Sequence, residues 1–382
     1  MGGGLDRARL DHLRATIARE VDAGLYFGAR IIVARHGEIG LDATIGHADE
    51  AASRPVETDS VFSIFSMTKA MTNILALRAI ELGRFSLTTR VHEVIPEFGG
   101  GLRAQINVYH LLTHMSGLPM IFQPRAGMNL DILADVVAAL CETVHAVEPP
   151  GERCNYSPMA NQLLLGEMVR RTDPAGRAYR DIVQEDLFAP LGMTGSAIGV
   201  RADLKERHLF PEFRGLSPIE HRGSSNLGPN GAYAEEKAEM PWVGAVSTAP
   251  DIFRLAEMLR REGSLDGARI LSPATVRLSR RNQTGDKPNE LYKMLAHKRL
   301  WEPAPAYIGL GFSLRGERIV NHMFGTLTSP ETFGNYGSGT TLFWVDPALD
   351  MTFVCLSTGL LEPNENIVRF QRLSDIAVSA AD

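Results

Sequence analysis

Apolar positions at Leu5, Leu10, Leu13, Ile17 and Val21, with charged residues between them, follow a helical period and predict a helix over residues 5–24. The β-branched run from Ala29 to Ala34 ends at Gly37, and a second β-rich run covers Leu41 to Ile45, so the two predict a hairpin. From Ser66 to Leu82 the pattern reads as one long helix, closed by Gly83. The stretch 85–245 mixes helical segments, best at 160–172 and 178–188, with connections rich in Pro and Gly. Thr248-Ala-Pro-Asp251 leads into a helix through Leu259, and Ser272-Pro-Ala-Thr275 starts another, with Pro in a first turn that lacks no N–H it needs. Strand signals return at Ile308–Leu314, Thr341–Val345 and Met351–Leu356, the last two flanking a turn at Asp346–Asp350. A helix from Asn364 closes the chain.

Helix, strands, a long helical insert, strands and helix predict an α/β protein of the α+β type. An antiparallel sheet built from both chain ends is flanked by helices and carries an inserted, mostly helical subdomain. The expected organisation is a single domain over 1–382, with 1–65 and 246–382 forming the sheet part and 66–245 the helical part. A cleft between the parts is the natural site. At 382 residues the chain is long enough for a substantial core, and 44% hydrophobic with 22% charged residues is ordinary soluble composition. A formal net charge of −6 counts against nucleic acid or an anionic membrane as partner. Three cysteines, Cys141, Cys154 and Cys355, form no CxxC motif and are too sparse for a disulfide scaffold. With no secretory signal pattern and no apolar stretch of membrane-spanning length, the expected location is the cytoplasm.

Ser66-Met-Thr-Lys69 is the sharpest chemical signal. On a helix an i, i+3 spacing puts both side chains on one face, and a helix start directs free N–H groups towards the serine. A serine hydroxyl is a weak nucleophile until a base takes its proton, which a buried lysine of lowered pKa can do.

The segment Val61-Phe-Ser-Ile-Phe-Ser66-Met-Thr-Lys69 resembles the nucleophile segment of the class C β-lactamase-like family. That family includes β-lactamases, penicillin-binding D-alanyl peptidases, family VIII carboxylesterases and acyltransferases. The resemblance covers most of the chain. It continues through His110-Leu-Leu-Thr-His114-Met-Ser-Gly-Leu-Pro119, Pro149-Pro-Gly151 leading to Tyr156-Ser157, Leu187–Met193, Val246–Asp251 and Gly309–Phe312. Phe333-Gly-Asn-Tyr-Gly-Ser-Gly339, followed by Phe343-Trp-Val-Asp-Pro347, resembles the family's third motif and the strand after it. The resemblance implies that Tyr156 shuttles protons beside Ser66 and Lys69. It also implies an oxyanion hole from the backbone N–H groups of Ser66 and Ser338, with Gly337 and Gly339 allowing close backbone approach. Which of Lys69 and Tyr156 is the primary base stays open, because coupled groups titrate together.

Two departures bear on substrate. Pro158 stands where β-lactamases and peptidases of the family carry the Asn of Tyr-x-Asn, which leaves Asn155 and Asn161 as substitutes. Asn335-Tyr336-Gly337 stands where they carry Lys-Thr-Gly, so the cation that attracts a carboxylate is missing and an aromatic wall replaces it. Asn335, Tyr336 and Gly337 are therefore candidate substrate-binding residues, as is Trp242, in a loop after Met240-Pro241; His322 is a further cleft candidate, and Trp344 reads as core. His110 and His114 have metal-ligand spacing but no carboxylate or Cys cluster with them, so no metal is expected. Gly-x-Ser-x-Gly, Walker and dinucleotide motifs are absent from the sequence, and no cofactor is expected. The leading expectation is a serine hydrolase of small-molecule carboxylic esters, working through a Ser66 acyl-enzyme. An acyltransferase in which an alcohol replaces water comes next, then a β-lactamase or D-alanyl peptidase. A non-catalytic ligand-binding relative is the reading from outside the enzymes.

Overall fold

The computed structural model describes residues 2–209, 231–338 and 341–382. Its main sheet has six antiparallel strands: β1 (Gly28–Arg35), β2 (Glu38–Gly46), β3 (Ser313–Leu314), β4 (Phe333–Gly337), β5 (Thr341–Asp346) and β6 (Met351–Thr358). Their order is β2-β1-β6-β5-β4-β3, so strands from opposite chain ends, β1 and β6, pair at the centre, with Ile31 opposite Cys355. The predicted hairpin is present as β1–β2, with a register shift between Val33 and Ala34. The predicted strand at Ile308–Leu314 shrinks to Ser313–Leu314, because Gly311 takes a positive φ of 87° and the chain turns there.

Alternate residues of the sheet feed two cores. Ile31, Val33, Leu342, Trp344 and Phe353 face the terminal helices α1 (Arg7–Asp22) and α6 (Pro363–Val378), together with Leu13, Ile17, Phe370 and Leu373. Ile32, Phe343, Val345, Val354 and Leu356 face the larger core, which includes Ile252, Leu255 and Leu259 of α4 (Ala249–Arg260). Burial on both faces explains why these strands read as near-continuous apolar runs although the sheet is antiparallel. Trp344 is fully buried, stacks on Phe353 and donates its indole N–H to Ser374 Oγ at 3.0 Å, so its reading as core is correct.

The long helix predicted from Ser66 starts later than expected. Phe65–Met67 forms a single 3-10 turn, and the α-helix, α2, runs from Thr68 to Glu81. Eleven of its residues are buried, including polar Thr68, Lys69, Thr72 and Asn73, as befits a helix enclosed on every side. It packs against α3 (Ala160–Arg171) of the helical insert. A second, four-stranded sheet joins Ala197–Ile198, Ala245–Ser247, Val61–Ser63 and His208–Leu209. It ties the run-up to Ser66 to the 245–247 strand, with Phe62 opposite Ser247. The ladder extends into the turn, where Ile64 N–H donates to Ala245 O at 3.2 Å.

The main sheet meets this turn through Gly337. A Cβ on Gly337 would lie 2.2 Å from the Ile64 carbonyl oxygen, and Thr341 Oγ1 donates to that same carbonyl at 3.2 Å. Gly337 thus allows the close backbone approach expected of it, while Gly339 lies outside the described residues. Gly337→Ala forces the end of β4 away from the nucleophile turn. The expected cost is about 1–3 kcal/mol, as for other overpacking changes. It should read out as a lower melting temperature together with slower labelling of Ser66 by a fluorophosphonate.

Candidate active site

Ser66 is half-buried at the centre of the 3-10 turn. Its predecessor Phe65 is buried at φ 45°, a left-handed conformation costly for a non-glycine residue and maintained here by the packing around it. One turn on, Lys69 is 3% exposed and its pKa is driven well below the ordinary lysine value by burial. Its Nζ has three contacts: Pro158 O at 2.8 Å, Trp242 O at 2.9 Å and Ser66 Oγ at 3.1 Å. Tyr156 OH lies 2.8 Å from Ser66 Oγ on another side, and its pKa is raised above the usual phenol value, chiefly by burial. The structure therefore brings together the three residues expected to form the site.

Lys69 Nζ donates to the Pro158 and Trp242 carbonyls and to Ser66 Oγ, and the Tyr156 phenol donates to the same Ser66 oxygen. Burial eases the loss of a proton from the amine. Once it is lost, the two carbonyls, which only accept, keep the two remaining N–H groups, and the lone pair faces the Ser66 hydroxyl.

Each member is held by its own segment. On the lysine side, Thr68 Oγ1 accepts from Ala245 N–H at 3.0 Å, and Thr72 Oγ1 donates to Pro241 O. These bonds hold the 241–245 segment against α2 and fix the Trp242 carbonyl over Lys69. On the tyrosine side, the two chain segments quoted as motifs are joined to one another. Gly151 N–H donates to Met115 O at 2.8 Å, Val147 N–H to Gly117 O at 2.9 Å and Asn155 N–H to His114 O at 2.9 Å. Gly117 is required where it stands, at φ 72° with Glu148 O only 2.2 Å from where a Cβ would be.

His114 has a structural contact with each of its neighbours in the site. Its Nδ1 accepts from Ser157 N–H at 3.0 Å, its ring lies against Tyr156 with centroids 5.1 Å apart, and burial lowers its pKa to about 3, with Lys69 adding to the shift. It is a neutral spacer that sets the tyrosine's position. His110 Nδ1 accepts from Asn107 N–H at 3.3 Å and closes a capping box. Asn161 does not replace the amide missing at Pro158. It is fully buried, accepting from Ser116 Oγ at 2.8 Å and donating to Leu111 O at 3.1 Å.

The cleft has two arms that meet at Ser66, Tyr156, Tyr292, Met323 and Tyr336. One arm contains Lys69, Asn73, His114, Asn289, Ser313, His322 and Asn335. The other contains Trp242, Gly337 and Ser338 beside a set of apolar side chains. Every candidate binding residue thus lines one arm or both. Trp242 has a part no side-chain reasoning would find, since its main-chain carbonyl orients Lys69; the same is true of Pro158. Tyr292, on helix α5 (Glu290–Lys298), was also missed; its phenol is hydrogen-bonded to that of Tyr336 across the junction. The only charged side chains lining the cleft, among the described residues, are Lys69 and Glu302, and Glu302 is paired with Arg318.

A buried lysine and a tyrosine converging on one serine, between a mixed sheet part and a helical part, is the arrangement of the β-lactamase-like serine hydrolases. The chain belongs to the Beta-lactamase family, whose model matches residues 13–377. Protein Rv1367c of Mycobacterium tuberculosis is 30% identical over 377 residues, covering 91% of this chain and 89% of the relative. Esterase EstB of Burkholderia gladioli is 38% identical over 287 residues, covering 68% of this chain and 70% of its own length. A penicillin-binding protein homologue of Caulobacter crescentus shares the fold, with a TM-score of 0.78, 23% identity and 99% of each chain covered.

A lysine of lowered pKa has a distinctive pH signature. Labelling of Ser66 by a fluorophosphonate should rise with pH while the ammonium loses its proton and reach its plateau below about pH 10, the ordinary lysine value. A lysine of ordinary pKa would instead keep the rate rising tenfold per unit up to that value.

Proposed function

We propose that the protein is a carboxylesterase working through a Ser66 acyl-enzyme. The observation that carries this reading is the convergence of Lys69 Nζ and Tyr156 OH on Ser66 Oγ, at 3.1 Å and 2.8 Å. Two main-chain carbonyls accept from Lys69, so the deprotonated amine turns its lone pair to the Ser66 proton. Ser66 Oγ attacks the ester carbonyl carbon while its proton passes to Lys69 Nζ. Tyr156, hydrogen-bonded to the same oxygen, delivers a proton to the departing alkoxide and recovers one through Lys69. The N–H groups of Ser66 and Ser338 hold the oxyanion, a contribution of about 3 kcal/mol per donor in comparable sites. Water then attacks the acyl-enzyme by the same proton route in reverse. These steps exchange only protons and one acyl group, and the side chains named supply every proton acceptor and donor, so no cofactor is called for.

An ester is favoured over a penicillin or a D-alanyl peptide on charge. Those substrates present a carboxylate, and no arginine or second lysine lines the cleft among the described residues; Asn335, whose amide donates to Gly311 O at 3.3 Å, takes the third-motif position instead. The esterase relative EstB supports the same choice. A second reading, acyl transfer, is favoured by the two-armed cleft, which has room for an alcohol beside the acyl group.

Intact-protein mass spectrometry with p-nitrophenyl esters and with a penicillin tests the proposal. The expected result is ester turnover with acyl mass on Ser66, none of it in Ser66→Ala, and little β-lactam hydrolysis. Fast penicillin turnover would refute the charge argument. Adding candidate alcohols and weighing the products separates transfer from hydrolysis. Tyr156→Phe should keep acyl-enzyme chemistry detectable but lower kcat/KM by roughly 10²–10⁴, the range for losing a general acid–base group.

A further inference from the structure

The two arms of the cleft differ in chemistry more than one small ester requires. The arm beyond Trp242 is walled by Phe65, Met159, Val243, Leu295 and Leu361 and, among the described residues, contains no charged side chain. Met159 is fully buried, and Trp242 and Leu295 nearly so, which makes this arm a pre-formed apolar pocket. Opposite it the lining is mixed: neutral polar Asn73, His114, Asn289, Ser313 and Asn335, several of them already hydrogen-bonded within the protein, share it with Lys69, Glu302 and apolar side chains such as Ile308 and Phe312. The paired phenols of Tyr292 and Tyr336 stand at the boundary and line both arms, with Met323 beside them. Because Ser66 and Tyr156 also line both arms, a bond broken at Ser66 has one flank in each.

We propose that the substrates are amphiphilic esters: one side of the scissile bond is an apolar chain of several carbons, seated under Trp242 and Leu295. The other side is a more polar group carrying hydroxyl or amide functions, seated in the mixed arm. This rests on the esterase reading and adds the division of the cleft to it. Each methylene entering a pre-formed apolar pocket strengthens binding about fourfold, whereas an arm lined in part by polar groups returns less for each added methylene.

Two matched ester series test this: acyl chains from acetyl to octanoyl on one fixed alcohol, and acetates of alcohols from methyl to octyl. One series should show kcat/KM rising roughly three- to fourfold per methylene over the first several carbons, and the other should rise by clearly less per carbon. With the apolar chain held constant, a glycerol or glucose ester on the other side should exceed the plain alkyl ester. In Leu295→Trp the octanoyl-to-acetyl or octyl-to-methyl preference, whichever was steep, should fall at least tenfold. Two flat series alongside Ser66-dependent turnover of acetates would overturn the division and leave the esterase standing, and two steep series would overturn it too. Binding of butyl, hexyl and heptyl glucosides to Ser66→Ala, followed by tryptophan fluorescence and calorimetry, needs no chemistry. Affinity rising with chain length there, without ester turnover by the parent protein, would keep the amphiphilic cleft and remove the esterase; affinity independent of chain length would remove the cleft division itself.

Discussion

An amine buried among main-chain carbonyls is the constraint on which the rest of this structure depends. Removing Lys69 from water makes its charged form costly, and two main-chain oxygens accept from it in the interior. Those two acceptors come from segments far apart in sequence, at Pro158 and Trp242. The helical insert and the 241–247 segment must both be in place before the lysine acquires its orientation. Packing of α2 against α3, the four-stranded sheet behind Ser66 and the bonds from Thr68 and Thr72 all serve that convergence. Nothing in the site relies on a fixed ion pair, which suits chemistry in which protons move and charge appears only transiently.

The same economy appears around Tyr156. Its phenol is kept un-ionised by burial, and the neighbouring imidazole of His114 is kept neutral for the same reason. The segments around His114–Gly117 and Gly151–Ser157 are joined mostly by backbone hydrogen bonds. Their fixed features are therefore turns and close approaches, with glycine at Gly117 where another residue would collide with Glu148.

Much of this was legible in the sequence, for identifiable reasons. Period-2 and period-3.6 runs located the hairpin, the terminal helices and strands β5 and β6, because burial on a regular element leaves a regular pattern. Ser66, Lys69 and Tyr156 stood out through the motifs around them. What the sequence hid was main-chain chemistry. A carbonyl carries no side-chain signature, so Pro158 registered as a missing amide when it is a working acceptor, and Trp242 registered as an aromatic ring alone. Tyr292 was silent because its partner Tyr336 lies 44 residues away, and nothing local marks the pair. The late start of α2 was hidden as well, since a 3-10 turn and an α-helix share the same apolar spacing over three residues.

The central pairing of β1 with β6 has a consequence for how the molecule comes into being. Thr358 donates to Gly28 O across a separation of 330 residues, in the middle of the sheet and not at its rim. On the ribosome, β1 and β2 emerge well before β6 and wait, one apolar edge unpaired, until it has been made. Contacts of such long sequence separation close slowly, and an open strand edge invites association with other chains in the meantime. Premature termination before residue 351 would remove a central strand, leaving two half-sheets with no common core and the nucleophile turn without its support.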